Sequence, residues 1–275
     1  VIPFDIPPLF LQNRFLIIDR MEGSVKFKAA IFDLDGTLLN SLADLADSMN
    51  QVLERNRLPQ HELAAYRYFV GDGIEMLVQR ALPFQVAGER ELQRFVREMK
   101  SEYARRWICK TRPYPGVPEM LGAFAATGVA MAVLSNKPDD ASRAIVEALL
   151  PDAGFRMVVG STPGRPKKPD PAAALEIAAR LNVLPCDFLF VGDTRIDMQT
   201  ACAAGMFPLG VLWGFRPAQE LIEAGAKMLV SDARHLIPWV GPVTIGLKGP
   251  RADAAQDSPQ SAAGGLTPPS SDPQI

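Results

Sequence analysis

Short apolar runs that alternate with helical patterns constrain this chain more than any other feature. Ala29–Asp33 reads as a buried strand, and Val129–Leu134, Phe155–Val159, Phe188–Val191, Leu209–Leu212 and Lys227–Val230 follow it. Amphipathic stretches lie between them. Gly116–Ala126 sets Val117, Met120, Leu121 and Phe124 on one face, with Pro118 near its start and Gly128 just past its end. Asp170 is the expected cap of another helix, with Pro171 in its first turn and Leu175, Ala178 and Ala179 facing inward. Strand–helix–strand alternation implies a Rossmann-like α/β fold, a parallel sheet with helices on both faces.

One segment breaks the alternation. Residues 42–112 contain no strand pattern. Ser41 with Asp44 resembles a capping box, and Leu42, Leu45, Met49, Val52 and Leu53 follow at helical spacing. Ile74, Leu77, Val78, Ala81 and Leu82 predict a second helix, and Glu91–Arg106 a third. The expected organisation is a core of residues 26–41 and 113–247 carrying a helical cap of residues 42–112. Residues 1–25 are cut by prolines and are expected to be poorly ordered. Residues 248–275 lack aromatic residues, are rich in Pro, Ser, Gly and Ala, and are expected to be disordered.

Composition removes several classes of function. Hydrophobic residues make up 48% of the chain, enough for a sizeable core. Lys plus Arg is 29 and Asp plus Glu is 31, a net charge of −2, which argues against a protein built to hold nucleic acid or an anionic membrane. No apolar run approaches the roughly 20 residues of a membrane-spanning helix. Cys109, Cys186 and Cys202 are scattered and lack metal-ligand spacing, which suits a reducing, cytoplasmic setting. Nothing in the sequence speaks to oligomeric state.

The first strand ends in IFDLDGTLLN, residues 31–40. Side chains two apart on a strand share a face, so Asp33 and Asp35 point the same way, with Cα atoms roughly 6–7 Å apart if the strand stays extended. A phosphoryl group fits between two such carboxylates. Asp-Gly is also a common turn. Three later segments weigh against that plainer reading. Leu134-Ser135-Asn136-Lys137-Pro138 brings a hydroxyl, an amide and a helix start together at a strand end, which suits an anion or a simple cap. Arg165–Pro171 places Lys168 just before a helix. Val191-Gly-Asp-Thr-Arg-Ile-Asp197 puts Asp193 at a strand end and Asp197 one turn later, as oxygen ligands for a hard cation or as an N-cap motif. Ligands of open parallel sheets bind beyond the carboxyl ends of strands, where all four segments fall.

DLDGTLL, LSNK, KKPDP and VGDTRID resemble the four motifs of the haloacid dehalogenase superfamily, over about Phe27 to Val240. YPGVPEMLGAF, FVGDGIEMLVQRAL and VLWGF are similar to segments of its phosphoglycolate phosphatases and their relatives. The resemblance implies that Asp33 is a nucleophile forming an aspartyl phosphate, and that Asp35 is general acid and then general base. It implies that Ser135, with backbone N–H groups near Asn136, and Thr37 bind the phosphoryl group, and that Lys168 offsets charge on the phosphate and Asp33. It implies Mg²⁺ held by Asp33, Asp193 and the Asp35 carbonyl, supported by Asp197. Asn40 stands where relatives often have an acid; both cap a helix.

The implied activity is hydrolysis of a small-molecule phosphomonoester, with 2-phosphoglycolate favoured over sugar phosphates or nucleotides. Arg67 and Arg80 are the cap cations expected to meet a substrate carboxylate, and Gly71 and Gly73 would let the cap loop approach it. A phosphomutase, a dehalogenase and a catalytically silent binding protein are less favoured. A silent protein would be expected to lose one of Asp33, Asp35 or Asp193, and all are present.

Overall fold

The structure, a computed structural model, describes residues 16–17, 27–84 and 88–239. The tail expected at 248–275 lies outside these residues, as does the N-terminal segment apart from Leu16–Ile17.

The strands are β1 (Leu16–Ile17), β2 (Ala29–Phe32), β3 (Leu39–Asn40), β4 (Arg112–Pro113), β5 (Ala130–Pro138), β6 (Met157–Ser161), β7 (Phe188–Gly192), β8 (Phe207–Val211) and β9 (Met228–Val230). Seven of them form one parallel sheet in the order β1-β9-β8-β7-β2-β5-β6. The chain runs outward from β2 to one side through β5 and β6, and to the other through β7, β8 and β9. The strand order therefore reverses at β2, where open α/β sheets form their ligand crevice.

Helices on both faces explain why the central strands are apolar without alternation. Ala30 and Phe32 of β2 join one core with Val117, Met120, Leu121 and Phe124 of α5 (Val117–Ala126). Ala29 and Ile31 join the opposite core with Ile177 of α7 (Ala172–Leu181) and Ala201 of α8 (Arg195–Ala203). α6 (Asp139–Leu149) follows β5 directly, and α9 (Ala218–Glu223) packs near α8.

The segment expected to be a helical insert contains α1 (Leu42–Arg55), α2 (Leu63–Phe69), α3 (Ile74–Ala81) and α4 (Glu89–Tyr103). Its own core joins Leu45, Met49, Val52 and Leu53 to Tyr66, Leu77, Val78, Phe95 and Met99. α2 has no counterpart in the sequence reading. It spans seven residues and buries only Tyr66, too little for a periodic signal. The insert is entered and left through a small antiparallel ladder, with Leu39 opposite Pro113 and Asn40 opposite Arg112.

Three sequence expectations need correction. The second strand does not stop at Leu134. It continues through Ser135, Asn136 and Lys137 to Pro138, with a shift of register against β6. Leu175 and Ala179 face outward. The buried face of α7 is Ala173, Ala174, Ile177 and Ala178, the side that the helix turns to the sheet. Asp170 does accept the Ala172 N–H at 2.9 Å.

Ser41 and Asp44 form no capping box. Ser41 Oγ has no partner among the described residues, and Asp44 is turned to the far end of the insert. Its buried carboxylate accepts the Lys110 N–H at 2.9 Å, the Thr111 N–H at 2.8 Å and the Thr111 hydroxyl at 2.7 Å. It thereby ties the start of α1 to the chain returning towards β4. Asp44→Ala should cost about 3 kcal/mol, since it leaves buried donors of a charge-assisted cluster unpaired. Urea denaturation would check this; a loss below about 0.5 kcal/mol, the range of ordinary surface substitutions, would show that the clamp contributes little.

Candidate active site

The last ladder contact of β2 orients the first carboxylate. The Asp33 N–H donates to the Val191 carbonyl at 2.9 Å, which holds Asp33 at the carboxyl end of the sheet beside β7. Gly36, at φ +93°, then turns the chain away, and its N–H meets the Leu39 carbonyl at 2.8 Å. A side chain at Gly36 would have to occupy the space of the Asp193 carboxylate, and Gly214 presses on Asp193 in the same way.

Asp193 follows β7 and is fully buried. Its Oδ2 accepts the Phe215 N–H at 2.8 Å, and its Oδ1 accepts the Thr37 hydroxyl at 3.1 Å. Asp197 is equally buried. Its Oδ2 accepts the Thr194 N–H at 3.0 Å and the Thr194 hydroxyl at 2.7 Å, closing a capping box on α8. The other oxygen, Oδ1, faces Lys168 at 2.6 Å. Lys168 Nζ also donates to Asp33 Oδ1 at 2.8 Å. The Asn136 side chain holds the peptide of Lys168 at both ends: Oδ1 accepts the Lys168 N–H at 2.9 Å and Nδ2 donates to its carbonyl at 3.1 Å. Asn136 Nδ2 also reaches the Gly71 carbonyl in the insert at 3.3 Å.

Asp33, Asp193 and Asp197 each bring a carboxylate oxygen within 4.8 Å of the others. Lys168 is the ammonium in contact with Asp33 and Asp197. Burial, then the Asp197 charge, push the Asp33 carboxyl up to about 7 against the pull of Lys168. Burial, followed by the charges of Asp197 and Asp33, raises Asp193 well above the ordinary carboxylate value. Burial alone would lower Lys168, but Asp197 and Asp33 outweigh it and hold the ammonium above the ordinary lysine value. Asp33 and Asp197 share the one ammonium and Asp193 has none among the described residues, so three buried carboxylates leave the site short of positive charge. These hard oxygen donors fit a divalent cation.

The structure thus brings together Asp33, Asp193, Asp197, Lys168, Thr37 and Asn136. Ser135, buried, precedes Asn136 within β5, and its Oγ accepts the Lys137 N–H at 3.3 Å. Asp35 faces a different cation. Its carboxylate receives Lys137 Nζ at 2.8 and 3.1 Å, and the same ammonium donates to the hydroxyl of Tyr103 at 2.8 Å. Lys137 and Tyr103 carried no role in the sequence reading. The run Ser-Asn-Lys-Pro looks like a polar helix start, and only the prolonged β5 points Lys137 into the site.

Asp33, Asp35, Ser135 and Lys137 line a cleft of about 1260 Å³ between the sheet edge and the insert, which contributes Gly71, Gly73 and Tyr103. Arg67 and Arg80 do not line it. Arg80 pairs with Asp72 at 2.6 Å and donates to the Phe69 carbonyl at 3.1 Å, and Arg67 donates to the Gly214 carbonyl at 3.2 Å.

Comparison with known proteins identifies the family. Residues 30–211 fit the haloacid dehalogenase-like hydrolase family, and the chain belongs to it. Within that family it is a phosphoric monoester hydrolase. It is similar to the phosphoglycolate phosphatase of Pseudomonas putida, 32% identical over 84% of this chain and 86% of that protein. The phosphoglycolate phosphatase of Rhodospirillum rubrum is 35% identical over 78% of this chain and 91% of its own length. The crystal structure of a predicted phosphoglycolate phosphatase from Haemophilus somnus superposes with a TM-score of 0.73 at 31% identity, covering 78% of this chain and 98% of that one.

Proposed function

We propose that this chain is a Mg²⁺-dependent phosphatase that hydrolyses 2-phosphoglycolate through an aspartyl phosphate, in the cytoplasm. The observation that carries this reading is the division of cations at the end of β2: Asp33 faces Lys168 and the acidic cluster, whereas Asp35 faces Lys137. Two neighbouring carboxylates in different settings suit two different roles. The activity named for the Pseudomonas and Rhodospirillum relatives supports the choice of substrate. Three exposed, unbridged cysteines suit the compartment.

Asp33 attacks phosphorus as the bond to the leaving oxygen breaks, and Asp35 gives that oxygen its proton. Asp35 then takes a proton from water, which attacks the aspartyl phosphate, frees inorganic phosphate and restores Asp33. Lys168 offsets charge on Asp33 and on the phosphoryl oxygens, and Ser135 donates to one of them. Asn136 positions Lys168, and Thr37 orients Asp193. Asp33 and Asp193, with the Asp35 carbonyl, would hold Mg²⁺, and Asp197 would complete the charge. The bound ion supplies positive charge that eases approach of the carboxylate to a phosphate dianion. Residues 42–112 act as the cap of a core formed by 26–41 and 113–247, and exclude water from the cleft.

Phosphate release over a panel of metabolites tests the reading. Turnover should be highest with 2-phosphoglycolate and absent in excess chelator. Preference for a sugar phosphate or a nucleotide would replace the substrate, and full turnover in chelator would remove the metal.

A further inference from the structure

The cleft contains one cation whose setting the proposed chemistry does not explain. Lys100, Lys137, Arg165 and Lys167 all line it. Arg165 is engaged with Glu176 at 3.1 Å, Lys167 is paired with Glu75 at 2.6 Å, and Lys100 is exposed on α4. Lys137 alone is buried, with a side chain 6% exposed. Its partners are Asp35 and the Tyr103 hydroxyl, the latter carried by the insert. Burial works against its charge, but Asp35 and then Tyr103 outweigh burial and keep the ammonium above the ordinary lysine value.

A buried ammonium is costly to retain and is poorly explained by the need to hold one carboxylate. Its position points to a further partner, beyond Asp35 and Tyr103. The leaving oxygen of the substrate must come within hydrogen-bond reach of Asp35 to be protonated. Lys137 Nζ is 2.8 Å from that same carboxylate. A charged group one carbon beyond the leaving oxygen therefore arrives at Lys137, while the phosphoryl group remains with Asp33 and Lys168. In 2-phosphoglycolate that group is a carboxylate, separated from the leaving oxygen by one methylene.

We infer that Lys137, steadied by Tyr103, receives the carboxylate of the leaving group and determines specificity for phosphomonoesters with an acid beside the leaving oxygen. This rests on the substrate proposed above. It also assigns the role once expected of Arg67 and Arg80 to the core, with the insert contributing the hydroxyl that fixes the ammonium.

The test compares 2-phosphoglycolate with 2-hydroxyethyl phosphate, which replaces the carboxylate by a neutral hydroxymethyl group. The quantity to follow is the ratio of their kcat/KM values in the full chain. Wild-type enzyme should favour the acid strongly. In Lys137→Met the ratio should fall on the order of 100-fold, the effect of a lost charge-assisted hydrogen bond in a buried site. Tyr103→Phe, which removes only a hydroxyl, should lower the ratio several-fold, within the range of one neutral hydrogen bond. Lys137→Arg should restore part of it.

An unchanged ratio in Lys137→Met, whether both activities persist or fall together, would overturn the inference and leave Lys137 as a residue that acts only through Asp35. A wild-type enzyme indifferent to the two substrates would instead remove the glycolate reading, and the inference with it.

Discussion

Asp33→Asn should form no phosphoenzyme with any substrate, whereas Asp35→Asn should accumulate it with an aryl phosphate. The two side chains lie two residues apart yet meet different partners. Asp33 Oδ1 is 2.8 Å from Lys168, and Asp35 is held by Lys137. The amide of Asp33→Asn cannot attack phosphorus, and turnover should fall to background. The amide of Asp35→Asn keeps the nucleophile but loses the proton relay, which is worth roughly 10² to 10⁴ in rate. With an alkyl phosphomonoester both half-reactions should slow. An aryl leaving group needs little protonation, so the first half-reaction should survive while water attack stalls. Intact mass after an acid quench reads the covalent phosphate directly. Label on Asp33→Asn, or identical behaviour of both variants with the aryl phosphate, would reverse or abolish the assigned roles.

Lys168→Met should lower kcat by about 10² to 10³, the scale of losing one preorganised charge at a reacting phosphoryl group. It should also reshape stability against pH. In metal-free protein Asp33 titrates near 7 when folded, above its ordinary 3.8. The folded state therefore binds this proton more tightly than the unfolded chain, and stability rises as pH falls through 7 towards 4. Losing Lys168 removes the charge that opposes this shift, and leaves Asp33 and Asp197 without their ammonium. In chelator at pH 8 the variant should be about 3–5 kcal/mol less stable than wild type, the usual cost of breaking a buried ion pair. That deficit should shrink towards pH 5 as protons replace the missing cation. Urea midpoints at the two pH values measure it. A deficit independent of pH would mean that lost packing, not charge, is responsible.

The legible part of this protein is what close neighbours in sequence determine. β2 and β7 are visible because helices cover both faces of the sheet and leave Ala29–Phe32 and Phe188–Val191 apolar throughout. Asp33 and Asp193 are visible because each follows such a run. Lys168 was identified by its motif, although the side chains that engage it, Asp33 and Asp197, are 135 and 29 residues away. Lys137 had no such help. Its partners Asp35 and Tyr103 are 102 and 34 residues distant, and the extension of β5 that aims it depends on pairing with β6. Asp44 misled for the same reason. At a helix start it matches a local capping pattern, yet Lys110 and Thr111, 66 and 67 residues on, offer its carboxylate more donors than its own first turn. Leu175 is a hydrophobic residue on a helix whose packing face is mainly alanine.

The β3–β4 ladder sets Asn40 opposite Arg112, so some seventy residues of chain depart and return at a single doorway. Paired strands are about 4.8 Å apart. Any segment whose ends meet at that spacing can be accommodated there without altering one hydrogen bond of the seven-stranded sheet. A lineage can thus exchange or rebuild the whole upper wall of the cleft, Tyr103 included, as one contiguous piece of gene, while Asp33, Lys168 and Asp193 stay in place. Under the inference drawn for Lys137, such a replacement would keep the ammonium and discard only its brace. New leaving-group preferences could then arise by degrees, starting from a site that already holds a charge.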